Sequence, residues 1–153
     1  AAVFRNLLPK LEAGAGYVQT QPVFDLKTLR PAAEALRDAS PSTRIVAMVM
    51  PLLSIEAAQR IEARLGVRLP ERLCRDLDHG GAEAGWCAFG EVIGALACSP
   101  LVDGVAVMTF EMDPSPEVRQ RIVAALGAAG ALHEEGGGDG QPAPRLCDQP
   151  GRA

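Results

Sequence analysis

The sequence predicts an α/β protein built around a parallel β-sheet. Two observations lead to this prediction. Three short apolar or β-rich runs, at residues 16–21, 45–50 and 105–110, are each followed by apolar residues at helical spacing. Strands that alternate with helices are typical of βα units, whose strands lie in parallel. The middle run, IVAMVM, is apolar at every position, which is typical of a parallel strand covered on both faces.

The first half of the chain contains the first two strands and three predicted helices. Apolar residues at i, i+3, i+4 and i+7 predict a helix over about residues 2–12 that two glycines end. Pro9 either kinks this helix or marks a helix that begins late. The first strand leads through PVFD into a helix over about residues 26–39. After the second strand, Ser54 is the expected N-cap of a helix to about Leu65, since its hydroxyl can accept a bond from an early helical N–H.

The second half contains the remaining helices and the third strand. Pro70 opens a short helix to about Asp78, because proline suits the first position of a helix. The HGGAEAG turn then separates it from a long helix over about residues 82–97. The third strand follows, and Pro116 begins a last helix that ends at Gly127.

The composition changes near residue 127 to glycine, alanine, proline and scattered charge. We therefore expect residues 1–126 to fold and residues 127–153 to form a disordered tail. The tail also holds residue types that bind metals, but a glycine-rich segment does not preorganise ligands, so no metal site is predicted. These residues are His133, Glu134, Glu135, Asp139 and Cys147.

Composition and charge exclude several classes of function. The 153 residues carry a formal net charge of -4 with no basic block, which argues against nucleic-acid binding. The apolar stretch from Val92 to Val102 is too short to span a bilayer and contains Gly94 and Pro100. The first residues lack the pattern of a signal peptide and do not start with Met, so we expect a cut end or a processed start, and a cytoplasmic protein.

The four cysteines have no CxxC spacing and lie far in sequence from the two histidines, which argues against a zinc site. Because no secretion signal is evident, free thiols in a reducing cytoplasm are expected rather than disulfides. The four are Cys74, Cys87, Cys98 and Cys147.

Polar residues at the end of the first strand are the main candidates for a site, because parallel βα proteins place their chemistry at the carboxyl ends of strands. An amide in a buried strand needs partners to offset its desolvation. By strict alternation Gln19 and Gln21 share a face, and Gln21 lies nearest the strand end. Whether Gln21 faces a ligand or only satisfies the following loop stays open, and Asp25 is interpreted as the N-cap of its helix.

The ends of the other two strands add an apolar wall and few polar groups. Met50 and the three residues after it predict a surface suited to a flat, apolar ligand. After the third strand, Thr109 is expected to face a ligand, whereas Glu111 and Asp113 are expected to be solvated or capping. No nucleotide-binding glycine loop and no hydrolase motif is present in the chain.

Three strings together resemble the methylenetetrahydrofolate reductase family: KLEAGAGYVQTQPVFD, the strand end VMP, and GVAVMTF, with RLPERL between the last two. The resemblance runs from about residue 4 to residue 126. It implies the last three strand–helix units of a (β/α)8 TIM barrel. It also implies FAD as cofactor, NAD(P)H as the electron donor and 5,10-methylenetetrahydrofolate as the substrate.

The resemblance also implies roles for individual residues. Gln21 is similar to the family's glutamine that contacts the pterin or the nicotinamide, and Lys10 to the lysine that pairs with the flavin phosphates. Thr109 and Phe110 match the threonine and leucine that end the last strand. The chain departs from the family at three positions where some members hold the flavin or the folate, namely Val3, Ala57 and Ile61.

The family's general acid, a glutamate on the first barrel strand, would precede Ala1, so no catalytic residue is assigned within the chain. We expect a fragment of the reductase, or a subunit of a split enzyme whose missing barrel strands come in cis or in trans. The alternatives are a non-catalytic partner subunit, or a barrel that binds another pterin or methyl donor. Self-association is left open, and no membrane or nucleic-acid partner is expected.

Overall fold

The structure, a computed structural model, describes residue 7 and residues 9–131. Three strands form one parallel sheet in the order β1-β2-β3, and four helices connect or follow them. The α/β prediction is confirmed, with strands and helices alternating as βα units require. The strands are β1 (Tyr17–Pro22), β2 (Arg44–Val49) and β3 (Gly104–Val107), and the helices are α1 (Leu26–Ala39), α2 (Ile55–Leu65), α3 (Glu71–Ala97) and α4 (Pro116–Ala128).

One face of the sheet forms one side of the main hydrophobic core. The register pairs Val18 with Ile45 and Ala47 with Val105, so these side chains point to the same side. Ile45 and Ala47 are almost completely buried there. Helices form the other side of this core, because the same apolar cluster contains buried residues of α1, α3 and α4. The largest contributors from the helices are Leu29, Leu36, Trp86, Phe89, Ile93, Leu96 and Ile122.

The opposite face of the sheet is not covered by a helix within the part of the chain that the structure describes. Its register aligns Gln19 with Val46 and Met48 with Ala106. Gln19 is exposed, and Val46 and Met48 are only half-buried although their neighbours in β2 are fully buried. Among the described residues, β2 is therefore covered on one face only, and covering of its other face stays a prediction.

The helix ends follow the predicted caps. α1 occupies the predicted residues, and the Asp25 carboxylate accepts the Lys27 N–H at 2.8 Å. α2 also matches, because Ser54 Oγ accepts the Ala57 N–H at 3.1 Å and Gly66 ends the helix in the left-handed region, at φ 64°. Both caps satisfy N–H groups that have no partner inside the helix.

The two helices predicted on either side of the HGGAEAG turn are both present within α3. Gly81, at φ 52° and ψ −137°, is not helical and divides α3 into two helical segments, so the predicted break is confirmed. A positive φ is a conformation that glycine adopts without strain.

The two ends of the folded region differ slightly from expectation. Residues 9–12 are helical and Gly14, at φ 95°, lies in the turn that follows, whereas most of the predicted helix before Pro9 lies outside the described residues. α4 ends at Ala128, one residue beyond the predicted end. The predicted tail from residue 132 onward lies outside the described residues, so its disorder stays a prediction.

The cysteines divide into two groups. Cys74 and Cys87 are free thiols, as predicted, and burial is the main cause that raises the pKa of the Cys74 thiol. Cys98 is disulfide-bonded, so the prediction of a free thiol is wrong at this position. Cys147 lies outside the described residues. Among the helices that the structure describes, none is both long enough and apolar enough to cross a membrane.

Candidate functional site

The carboxyl ends of the three strands lie along one edge of the sheet because the strands are parallel. We call this edge the strand mouth and define it by the last two residues of β1 together with the segments that follow the three strands. Together these are residues 21–25, 50–54 and 108–113.

The end of β1 is bulged. Its pairing with β2 shifts from Gln19 opposite Val46 to Pro22 opposite Met48, so β1 contains one more residue than β2 over this stretch. The Thr20 hydroxyl fills the gap in the ladder, since it accepts the Met48 N–H at 3.0 Å and donates to the Gln21 carbonyl at 2.7 Å. Bulges of this kind redirect side chains beside functional sites.

Gln21 lies within this bulge, and its side chain is exposed at the mouth. The expectation that Gln19 and Gln21 share a face rested on strict alternation, which the register shift interrupts between these residues. Both side chains are exposed, so the Gln21 amide is not buried in the core and is available to a ligand.

The segment after β2 is buried and does not form an open apolar surface. Met50 and Leu52 are 4% and 2% exposed, and they pack with Ala58 and Ile61 of α2. Met50 and Leu52 also line the mainly apolar cavity described below, so the predicted apolar wall is part of a cavity and not of an open surface. Ile61, where the family resemblance placed a ligand contact in some members, belongs to the same buried cluster.

A close backbone contact fixes this covered segment to α3. A Cβ added at Gly85 would lie 1.9 Å from the Leu52 carbonyl oxygen. Only a glycine lets the helix backbone approach the loop so closely.

The segment after β3 contains both residues predicted there. The ladder ends at Val107, three residues before the predicted end, and the Thr109 hydroxyl donates to the Glu111 carbonyl at 2.6 Å. Phe110 is 45% exposed. Glu111 and Asp113 are exposed, in agreement with their predicted solvation, and Asp113 also accepts a bond from Arg119 at 3.1 Å.

Reasoning from strand ends missed Arg60. Its guanidinium carbon lies 4.8 Å from the centroid of the Phe110 ring, which brings a cation of α2 to the mouth. The only available signal was its position on the helix after β2, because nothing in the local sequence relates it to a residue 50 positions later.

Lys10 occupies a different position from the other predicted site residues. It lies in the helical residues before β1, toward the amino end of that strand, whereas Gln21 lies near the carboxyl end. The side chain of Lys10 is exposed, and none of the ion pairs between described residues includes it. Its ammonium group is thus available to an anion, but it is not a neighbour of Gln21 along the sheet.

A cavity of about 410 Å³ opens beside the mouth, between the start of α1 and the face of α3. Its walls are mainly apolar, with Phe24 from the segment after β1 and Phe89 and Val92 from α3. Charged side chains of both signs also line it, and Arg72 forms ion pairs there with Asp76 at 3.3 Å and Glu91 at 3.4 Å. Residues 7 and 9–131 contain no group of three or more potential ligands placed to hold a metal ion.

The parallel βα units define an α/β protein, and the polar groups at the strand mouth make the carboxyl ends of its strands the candidate site. A family model described as Methylenetetrahydrofolate reductase matches residues 2–112, a range that contains all three strands. The chain therefore belongs to the methylenetetrahydrofolate reductase family, which confirms the resemblance seen in the sequence. A search of curated proteins finds no match.

Membership gives the general class of activity. The family is one of oxidoreductases that act on folates in one-carbon metabolism. The three parallel strands, each followed by helical structure, are consistent with part of a TIM barrel.

Proposed function

We propose that the chain forms part of the site of a flavin-dependent reductase that converts 5,10-methylenetetrahydrofolate to 5-methyltetrahydrofolate and so supplies methionine synthesis. The observation that carries the proposal is the exposed Gln21 amide on the bulged end of β1, in a chain of this family. A buried amide in the same strand would have argued for a structural role.

Gln21 has the chemistry to hold a flat heterocycle in a fixed orientation. Its amide offers two N–H donors and one carbonyl acceptor, which matches the mixed donors and acceptors of a pterin or of a nicotinamide carboxamide. The Thr20 hydroxyl fixes the backbone beside it by bonding the Gln21 carbonyl. The side chain therefore starts from a restrained backbone, which reduces the entropy lost when a ligand binds.

Thr109 and Phe110 contribute in different ways. The Thr109 hydrogen is donated to the Glu111 carbonyl, so its oxygen keeps only lone pairs for a ligand donor and its main effect is on the shape of the loop. Phe110 keeps nearly half of its surface exposed and offers an apolar contact to an aromatic part of the substrate.

The residues present fit a phosphate-bearing cofactor in part, through Lys10, which lies toward the amino end of β1 and not at the strand mouth. The exposed ammonium of Lys10, which takes part in no ion pair between described residues, suits the phosphates of FAD. When bound, FAD supplies a carrier that receives hydride from NAD(P)H and passes it to the folate. The general acid that protonates the folate nitrogen is not assigned to a residue of the chain, and we place it on another barrel strand.

The sheet leaves room for the rest of such a barrel. In the described residues, β1 and β3 each pair on one side only, and one face of the sheet lacks a covering helix. Closing a barrel needs more strands with a consistent stagger. We propose that these strands are supplied in cis or in trans in the cytoplasm, and that they cover Gln19, Val46 and Met48.

Two measurements test the proposal. First, FAD is titrated into the 153-residue chain alone and into the chain assembled with the remaining barrel strands. We expect stoichiometric binding only in the assembled form. Tight binding by the chain alone would contradict the claim that other strands are needed.

Second, Gln21→Ala is compared with Gln120→Ala in the assembled enzyme. Gln120 is exposed on α4 and serves as the control for loss of a surface amide. We expect kcat/KM for methylenetetrahydrofolate to fall by about 10- to 100-fold for Gln21→Ala only, as loss of an oriented hydrogen bond predicts. Unchanged turnover in Gln21→Ala would favour a non-catalytic partner subunit, and turnover of a different methyl donor would favour another barrel enzyme.

A further inference from the structure

A cation and an aromatic ring meet at the strand mouth on a surface that the hydride-transfer chemistry does not use. The guanidinium carbon of Arg60 lies 4.8 Å from the ring centroid of Phe110. Both side chains are exposed. This separation is within the range of cation–π attraction, so the ring holds the guanidinium in place beside the mouth.

The helix that carries Arg60 is fixed to the ends of all three strands. Ala58 and Ile61 of α2 belong to the buried cluster that contains Met50, which follows β2. Phe24 and Met108, which follow β1 and β3, pack against the same cluster. Arg60 is therefore presented by a rigid element and not by a loose loop, which is the arrangement that precise recognition needs.

The guanidinium of Arg60 keeps its hydrogen-bonding capacity for a ligand. No ion pair between residues that the structure describes uses it. Glu56, one turn earlier, has its pKa lowered mainly by its backbone N–H and by the Ser54 hydroxyl, and least by Arg60. The Glu56 carboxylate thus interacts mainly with groups at the N-terminus of α2 rather than with Arg60. Contact with the face of Phe110 uses none of the five guanidinium N–H donors.

We propose that Arg60 binds the glutamate carboxylates of the folate substrate, while the Phe110 ring contacts the p-aminobenzoyl group that precedes them. The inference rests on the proposed function, because it assumes that a folate occupies the mouth. A folate ends in an aromatic ring followed by a carboxylate-bearing tail, and the Phe110–Arg60 pair presents an apolar ring followed by a cation. Arginine suits the tail because its planar donors match a carboxylate in a bidentate way.

This role makes Arg60 a specificity-determining residue. The glutamate lies at the opposite end of a folate from the pterin that receives the hydride. Removing its carboxylate contact is therefore expected to weaken binding of ground state and transition state alike, which raises KM and leaves kcat unchanged.

The test measures binding in the assembled enzyme with two probes, 5-methyltetrahydrofolate and the corresponding pteroate, which lacks the glutamate. Calorimetry gives Kd for the wild type, Arg60→Gln, Arg60→Lys and the control Arg64→Gln. Arg64 is exposed one turn further along α2. We expect Arg60→Gln to raise Kd for the folate by about 10- to 100-fold and to leave Kd for the pteroate unchanged. Arg60→Lys should retain part of the affinity, and Arg64→Gln all of it.

Several results would overturn the inference. It fails if the wild type binds folate and pteroate equally well, or if Arg60→Gln weakens both probes alike. It also fails if Arg64→Gln has the same effect, or if Arg60→Gln changes only the KM of NAD(P)H, which would place the dinucleotide on this cation. In each of these cases, turnover of methylenetetrahydrofolate by the wild type leaves the proposed function intact. If the wild type neither binds nor reduces the folate, the proposed function fails first.

Discussion

The two ends of the sheet use polar groups in opposite ways. At the amino ends of β2 and β3, the Asp103 carboxylate accepts the Ile45 N–H at 2.6 Å and pairs with Arg37. The Arg37 guanidinium also donates to the Thr43 carbonyl at 3.0 Å. At the carboxyl ends, Gln21 and Phe110 are exposed. The polar network of Asp103 and Arg37 at the amino ends holds the fold together, while the Gln21 amide at the carboxyl end of β1 is available to a ligand.

This contrast agrees with the general division of parallel βα folds into a stability end and a functional end. The network around Arg37 joins α1 and the loop that follows it to the loop before β3, which is distant in sequence. The mouth is held instead by apolar packing of α2 and by the contact of α3 with Leu52. Much of the stability at the mouth therefore comes from shape and burial, and the exposed Gln21 amide is left available to a ligand.

The largest effect is expected from Gly85→Ala, which tests the packing beneath the mouth. The new Cβ would lie 1.9 Å from the Leu52 carbonyl oxygen, so α3 must move away from the loop. We expect a loss of about 3 kcal/mol or more in the free energy of unfolding, measured by urea denaturation.

Gly90→Ala is the matched control, since a Cβ at Gly90 of the same helix meets no atom within 4 Å. It should be neutral or stabilising, by up to about 1 kcal/mol. Equal losses in both variants would show that the close approach at Leu52 is not what limits substitution.

The next largest effect is expected at the amino ends, from Asp103→Ala. The variant leaves the N–H of the buried Ile45 and the guanidinium of Arg37 without their carboxylate. An unsatisfied buried donor costs about 1–3 kcal/mol, and we expect a destabilisation in that range by urea denaturation. Asp38→Ala, at an exposed position of α1, is the control and should change stability by less than about 0.5 kcal/mol. An Asp103→Ala protein as stable as this control would remove the contrast between the two ends.

Much of this architecture was predictable from the sequence because it depends on local signals. The bounds of α1 and the Ser54 cap of α2 follow from apolar spacing and cap chemistry. The features that were missed depend on contacts between distant segments. The covering of Met50 by α2 and the contact of Arg60 with Phe110 are of this kind.

The bulge at Gln21 illustrates the same limit at the site itself. The sequence pointed to Gln21 as the polar residue nearest the strand end, and the structure leaves its side chain exposed there. A register shift, however, is a property of two paired strands, and the bond from the Met48 N–H to Thr20 belongs to neither segment alone. Position along a strand is therefore predictable, whereas the direction of a side chain beside a bulge is not.

A smaller, pH-dependent effect is expected in the helical layer between the two ends. Glu83 of α3 accepts two bonds from Arg121 of α4, at 2.6 and 2.7 Å, and this contact lowers the pKa of the carboxyl below its ordinary 4.5. A lowered pKa in the folded state adds stability above the unfolded pKa, and this stability is lost as the pH falls through the folded value.

Glu83→Gln tests this contribution through Tm, measured at neutral pH and at about pH 3. The variant should be slightly less stable than the wild type at neutral pH, and the difference should shrink in acid, where the wild-type carboxyl is protonated as well. Asp78→Asn, on the same helix, is the control, because Asp78 is exposed, no ion pair between described residues includes it, and Arg121 stays paired. A difference between wild type and Glu83→Gln that grows in acid would contradict the assignment.

The smallest effect on stability is expected from Gln21→Ala, and it is the sharpest test of the contrast. The exposed amide makes no hydrogen bond to another described side chain, and the bonds at the bulge use Thr20 and the backbone, which the substitution leaves in place. The free energy of unfolding should therefore change by less than about 0.5 kcal/mol in urea denaturation, while turnover falls as proposed above. Unchanged stability with lost turnover is the signature of a group kept for a ligand. A loss of about 1 kcal/mol or more in the free energy of unfolding would instead show that Gln21 stabilises the fold, as Asp103 does at the other end of the sheet.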